Sequence, residues 1–225
     1  MKTDLDARPN GRLARVVSLA AAVFAAGAVL IAPAVSAPTA RAQGCPDIEV
    51  VFARGTDEPA GLGRVGSAFV DSLRGRVGNR SVGAYAVNYP ATFDFLAAAG
   101  GANDASAHIQ FMMANCPATR LVLSGYSQGA AVIDVIAAVP VPGVGFTNPL
   151  PPNAPDFVAA IAVFGNPSAK VGLPLTVSPV WGSRSIDLCT VNDPVCSPGD
   201  DIAAHSNYVS TGLTSQAAAF VAGRL

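Results

Sequence analysis

The chain has 225 residues, 51% of them hydrophobic, which suits one domain of ordinary size with a substantial core. Its net charge is −1, from 14 basic and 15 acidic residues, and the basic residues cluster only in the first fifteen positions. That balance excludes nucleic acid and anionic membrane as main partners. Four cysteines without a C-x2-C pair, together with two histidines, argue against a metal site.

The N-terminal stretch has the layout of a processing segment. Lys2, Arg8, Arg12 and Arg15 form a basic start, residues 16–32 are small and apolar apart from Ser18, and Ala40-Arg41-Ala42 is a small-x-small cleavage signal. A signal peptide is therefore expected over 1–42, leaving a single domain over 43–225. The alternative is an uncleaved anchor, for which the apolar run lies at the short edge. Cleavage removes five basic and two acidic residues and moves the net charge from −1 to −4. Export to an oxidising compartment fits four cysteines held as two disulfides.

The remaining chain alternates strand-like and helix-like segments. Residues 48–53 (IEVVFA) read as a buried strand ending at Arg54-Gly55-Thr56, and 63–77 carry helical spacing through Val65, Phe69, Leu73 and Val77. A second strand is expected over 82–88, and a helix capped by Asn103 over 103–113. Residues 120–139 read as strand, tight turn and helix. Further strands are expected over 157–164 and 184–189, and a last helix over 213–222. Strands that are continuous apolar runs separated by helices indicate a parallel sheet covered on both faces. The Pro-rich 140–155 stretch follows a helix and is expected at the end of the sheet away from any ligand.

Chemistry concentrates at the turn in 120–139, where Gly125-Tyr126-Ser127-Gln128-Gly129 fits Gly-x-Ser-x-Gly. In a chain with 22 glycines that pattern alone is weak, but strand before and helix after make it a nucleophile elbow. A serine hydroxyl needs a base. His205 follows the serine and a late strand, the order such hydrolases use, whereas His108 precedes the serine inside a helix and reads as a packing residue. Among the acids, Asp134 sits on the elbow helix, Asp156 precedes a strand and Asp187 lies within one. Asp193, in the loop CTVNDPVC, is preferred as the orienting acid, with Asp200 and Asp201 as the fallback. The amides of Gln128 and Thr56 are candidate oxyanion donors. Arg54, beside Asp57 and Glu58, reads as a surface ion pair.

Spacing bears on the cysteines. Cys45 precedes Thr56 by the same interval as Cys116 precedes Ser127. If the two intervening strands are parallel neighbours, the cysteines meet at one edge and the hydroxyls at the other. This favours Cys45–Cys116 with Cys189–Cys196. Phe93, Phe95 and Leu96 on one loop, with Leu173, Leu175, Val177, Val180 and Trp181 on another, are expected to form an apolar crevice for the substrate, with Phe93, Leu173, Leu175 and Trp181 as contacts.

ARGT at 53–56, GYSQG at 125–129, CTVNDPVC at 189–196 and AHSNY at 204–208 together resemble the cutinase family, most of all its secreted mycobacterial members. The likeness runs from Cys45 to the end of the chain. It implies an α/β-hydrolase fold: a three-layer sandwich around a central, mainly parallel five-stranded sheet, without a large lid. It also implies the two disulfides already favoured. For function it implies a secreted, monomeric serine esterase with no metal or cofactor, acting on short-to-medium acyl esters of cutin- or lipid-like character. Lipase, phospholipase or thioesterase action on longer chains, or a catalytically weak envelope-associated binding protein, are the alternatives. By motif, Ser127, Asp193 and His205 would be the catalytic set, with Thr56 and Gln128 as the oxyanion hole.

Overall fold

The computed structural model describes residues 44–225, and the leader expected over 1–42 lies outside the described residues. The five strands are β1 (Ile48–Ala53), β2 (Val82–Ala86), β3 (Arg120–Tyr126), β4 (Val158–Phe164) and β5 (Ser185–Leu188). They form one sheet in the order β2-β1-β3-β4-β5, and every neighbouring pair is parallel.

Alternate residues of these strands serve two cores, as a period of two requires. Val51, Leu123 and Ile161 face the layer of α2 (Ala98–Asn115) and α3 (Gln128–Ala138). Val50, Phe52, Val122 and Ala162 face α1 (Gly63–Arg74) and α5 (Leu213–Ala222) on the other side. The result is the three-layer α/β-hydrolase sandwich. β1, β3 and β4 are covered on both faces, which is why they read as unbroken apolar runs.

β1 and β3 lie side by side with Ile48 opposite Arg120 and Ala53 opposite Gly125. Cys45 and Cys116 therefore meet before the two strands begin, and they are disulfide-bonded, as are Cys189 and Cys196. Thr56 and Ser127 emerge together at the opposite, carboxyl end, where an open parallel sheet holds its ligands.

Two helix boundaries differ from expectation by three residues or more. The helix predicted to start at Asn103 begins at Ala98, so Asn103 is an interior residue. Gly100 and Gly101 weaken the helical signal there, but Gly101 is buried so closely against the Tyr89 ring that an added Cβ would come within 2.9 Å of it. Tertiary packing overrides propensity at this point. The 63–77 helix ends at Arg74, and Val77 enters the core from the turn that follows.

The connection from β4 to β5 is the larger departure. It contains only a four-residue helix, α4 (Pro167–Lys170), so the return across the sheet is made by extended chain with short 3-10 turns. That chain packs on α3, and the Trp181 indole donates to the Ala137 carbonyl at the helix's last turn, 2.7 Å away. Leu175 and Trp181 are core residues, 3% and 4% exposed.

Candidate active site

Ser127 sits between β3 and α3 with φ 56° and ψ −118°, a conformation an L-residue enters only when its surroundings impose it. Two glycines make the imposition possible. A Cβ on Gly125 would collide with the carbonyl of Gly129, and one on Gly129 would run into the carbonyl of Ala53 on β1. The Ser127 amide donates to Phe164 at the end of β4 over 2.8 Å, which ties the turn to the neighbouring strand.

The hydroxyl of Ser127 lies 2.9 Å from His205 Nε2, and Nδ1 of the same ring lies 2.7 Å from Asp193 Oδ2. A carboxylate facing Nδ1 fixes the proton there and leaves Nε2 to accept from the serine. Asp193 is completely buried and its Oδ1 accepts the Val195 amide over 2.8 Å. Its loop is closed by Cys189–Cys196 and braced by Lys170 Nζ, which donates to the Pro194 carbonyl over 2.7 Å. Both loop sulfurs are consumed in that bond, so they supply no thiolate ligand beside Asp193.

Two tyrosines outside the predicted set hold this chain in place. Tyr208, fully buried, donates its hydroxyl to Asp193 Oδ2, the oxygen His205 also uses. Burial, then the bond to Asp193, push its phenol well above the usual value and keep it a donor. Tyr126 stacks on the imidazole with centroids 5.0 Å apart and donates to the His205 carbonyl over 2.6 Å. Gly165, at φ +60°, leaves room for the ring, since a Cβ there would stand 2.8 Å from His205 Cε1.

Thr56 and Gln128 flank the serine on the other side. Among the described residues, neither the Thr56 amide nor its hydroxyl donates to a protein acceptor, and the Gln128 amide is one of the free first-turn donors of α3. The Gln128 side chain donates to the Thr92 carbonyl over 2.9 Å and so pins the neighbouring loop. Arg54 is not the surface ion pair expected. It is 6% exposed and donates to the carbonyls of Glu58 (2.8 Å) and Tyr89 (2.7 Å), stitching two loops together. Glu58 accepts the amides of Gly55 (2.8 Å) and Arg64 (2.9 Å), so the RGTDE turn is braced around Thr56.

These groups open into a cleft of about 650 Å³ whose walls include Phe93 and Phe95 on one side and Pro167, Val195 and Ile202 on the other. Of the four expected substrate contacts, only Phe93 lines it. Leu175 and Trp181 belong to the crossover core for the reason given above, and Leu173 is exposed away from the cleft walls. Val195 and Ile202, which follow Asp193 in the chain, line the cleft instead.

The rejected acids lie elsewhere. Asp201 accepts the Ala203 amide over 2.9 Å in an exposed turn, and Asp200 is exposed beside it. Asp134 and Asp187 are bridged by the Asn166 side-chain amide at 3.3 and 2.8 Å, and burial pushes them up to about 6 and about 7. His108 lies on α2 and packs against the sheet, stacked on Tyr85 of β2 and paired with Glu49 of β1.

The family model described as Cutinase matches residues 44–225. The chain belongs to the cutinase family. It is 60% identical to "Phospholipase Culp4" of Mycobacterium tuberculosis over 96% of this chain and 94% of that protein. It is 50% identical to "Probable carboxylesterase Culp3" of the same organism, over 96% and 86% respectively. Among solved structures it is similar to a Trichoderma reesei cutinase bound to a phosphonate inhibitor, with 30% identity over 80% of this chain and 76% of that one, at a TM-score of 0.63. This cutinase-family chain is a carboxylic ester hydrolase acting on small-molecule or lipid esters. Among its described residues, no helix is long and apolar enough to cross a membrane.

Proposed function

We propose that the protein is a secreted, monomeric serine esterase in which Ser127, His205 and Asp193 form the catalytic triad and no metal or cofactor takes part. The observation that carries the reading is the unbroken hydrogen-bonded chain from Ser127 Oγ through His205 to Asp193, at 2.9 and 2.7 Å. The signal-peptide-like leader over 1–42 and the two disulfides support export.

In the mechanism, Ser127 Oγ attacks the ester carbonyl while His205 Nε2 accepts its proton. The tetrahedral oxyanion is met by the amides of Thr56 and Gln128, with the Thr56 hydroxyl as a third donor. Asp193 stabilises the imidazolium, which then protonates the leaving alcohol. Water activated by His205 releases the acid from the acyl-enzyme. The apolar walls at Phe93, Phe95, Val195 and Ile202 suit short-to-medium acyl groups of cutin- or lipid-like esters. A phospholipase reading is favoured by the name of the 60% identical relative.

The test is hydrolysis of p-nitrophenyl butyrate by wild type and Ser127→Ala, with fluorophosphonate labelling in parallel. Wild type should hydrolyse the ester and label, and Ser127→Ala should do neither. Turnover surviving in Ser127→Ala would sink the mechanism. A wild type that neither turns over nor labels would favour a binding protein.

A further inference from the structure

A second hollow, of about 380 Å³, adjoins the cleft and shares three lining residues with it: Phe95, Ala98 and Ala131. Every residue lining it is apolar or glycine. The two hollows are linked by one stripe of α3. Gln128 and Ala131 line the cleft, Ala131, Val135 and Val139 line the second hollow, and spacings of three and four place them all on one helix face. The stripe begins beside Ser127 and ends at the last turn of α3. The 140–155 stretch, expected to be a connection remote from the site, supplies the far rim through Val144 and Phe146.

That rim is held in an unusual way. Gly143 and Phe146 exchange backbone hydrogen bonds of 2.8 and 2.9 Å around a two-residue turn with φ +46° at Val144 and +80° at Gly145. Asn or Gly normally occupies the first of these positions, and a β-branched residue there is disfavoured. Yet Val144 is 87% exposed, so no burial in the protein offsets the cost. Asn103 clamps the turn to α2, donating to the Gly145 carbonyl and accepting the Thr147 amide, both at 2.8 Å. The arrangement keeps an apolar side chain at the end of an apolar channel.

We infer that this channel is a distal acyl subsite: the acyl chain of a long-chain fatty ester, attached at Ser127, runs along α3 beneath Phe95 and Leu96 and ends at Val144. The inference rests on the reading of Ser127 as nucleophile and extends the acyl range of that site past the short-to-medium chains that the cleft walls suit. Continuity with the cleft identifies the occupant. From Ser127 to Val139 the helix advances about 18 Å at 1.5 Å per residue. Extended chain advances about 1.2 Å per bond, so the channel matches roughly 15 carbons. A hollow on the His205 side shares no lining residue with the cleft, and Asp201 and Asn207 stand beside Val191 and Leu213 in its lining.

The experiment measures kcat/KM on p-nitrophenyl esters from C4 to C16, dispersed in a neutral detergent, as the ratio of C14 to C4 within each enzyme. Val139→Trp fills the channel and Val144→Asp places a charge at its exposed rim, so a folding defect in one leaves the other informative. Each should lower the ratio by about tenfold or more relative to wild type, and Val171→Asp, at an exposed apolar residue that lines neither hollow, should not. Retention of the wild-type ratio in both channel variants, or an equal fall in Val171→Asp, would overturn the inference. So would a wild-type rate that collapses above C8. Failure of wild type on C4 itself would instead remove the esterase reading, a distinguishable result.

Discussion

The Tyr208 hydroxyl and the imidazole of His205 share one oxygen of Asp193, which makes the tyrosine a positioning residue. Tyr208→Phe keeps the ring packed against Phe164 and Tyr126 but removes the donor that fixes the carboxylate. We expect kcat to fall about tenfold with KM nearly unchanged, the size of one lost charge-assisted hydrogen bond. Steady-state kinetics on a C4 ester checks this, and a rise in KM alone would contradict it. A second residue-scale consequence concerns Asp134 and Asp187. Their folded pKa values, about 6 and about 7, lie above the unfolded value of 3.8, so their contribution to stability is full below pH 3.8 and is lost as pH rises through 6 to 7. Asp134 Oδ2 and Asp187 Oδ1 have no hydrogen-bond partner among the described residues. Asp187→Asn should therefore raise the melting temperature at pH 8 and flatten its decline between pH 5 and 8, by thermal denaturation across that range. Neither Tyr208 nor Arg54 was legible in the sequence as part of the site. Each acts through contacts between loops that are distant in the chain, and a buried arginine beside two acids looks the same in sequence as an exposed one.

At the scale of elements, the strand–turn–helix unit around Ser127 was readable because its signal is local: β-formers, paired glycines, then helical spacing. The same locality makes it brittle. Gly129→Ala should cost about 3 kcal/mol or more, because the added methyl meets a strand carbonyl that has nowhere to move. Urea unfolding measures it, and a cost below 1 kcal/mol would show that the elbow is looser than drawn. The segment from 173 to 181 was misread for a physical reason. Apolar residues after a strand look alike whether they line a crevice or pack a crossover. The information lay in the shortness of α4, which leaves too little helix to span the sheet and forces the following chain into the core.

For the whole molecule, the two disulfides stand at opposite ends of the parallel sheet and should have separable effects. Cys45–Cys116 closes a loop with a sequence separation of 71, and Cys189–Cys196 one of 7. On chain entropy they are worth about 4 and about 2.5 kcal/mol. Replacing the first pair by alanines should lower stability more while leaving kcat close to wild type. Replacing the second should cost less stability but lower kcat, because it frees the loop that carries Asp193. Equal catalytic loss in both would refute the division, and denaturant melts with kinetics on each double variant decide it. The overall architecture was legible because alternation of apolar runs with helices is a whole-chain pattern. The route of the 140–155 stretch was not, since it depends on the Asn103 clamp rather than on any period.

The cleft's own walls carry a last consequence. Phe93 and Ile202, on opposite sides of the mouth, are 71% and 70% exposed. Such a collar wets an oil droplet as it stands, and the entrance is already open in water. Adsorption and turnover then become independent events. The rate on a sparingly soluble ester should rise smoothly through its critical micelle concentration, without the jump that marks an enzyme opened by the interface.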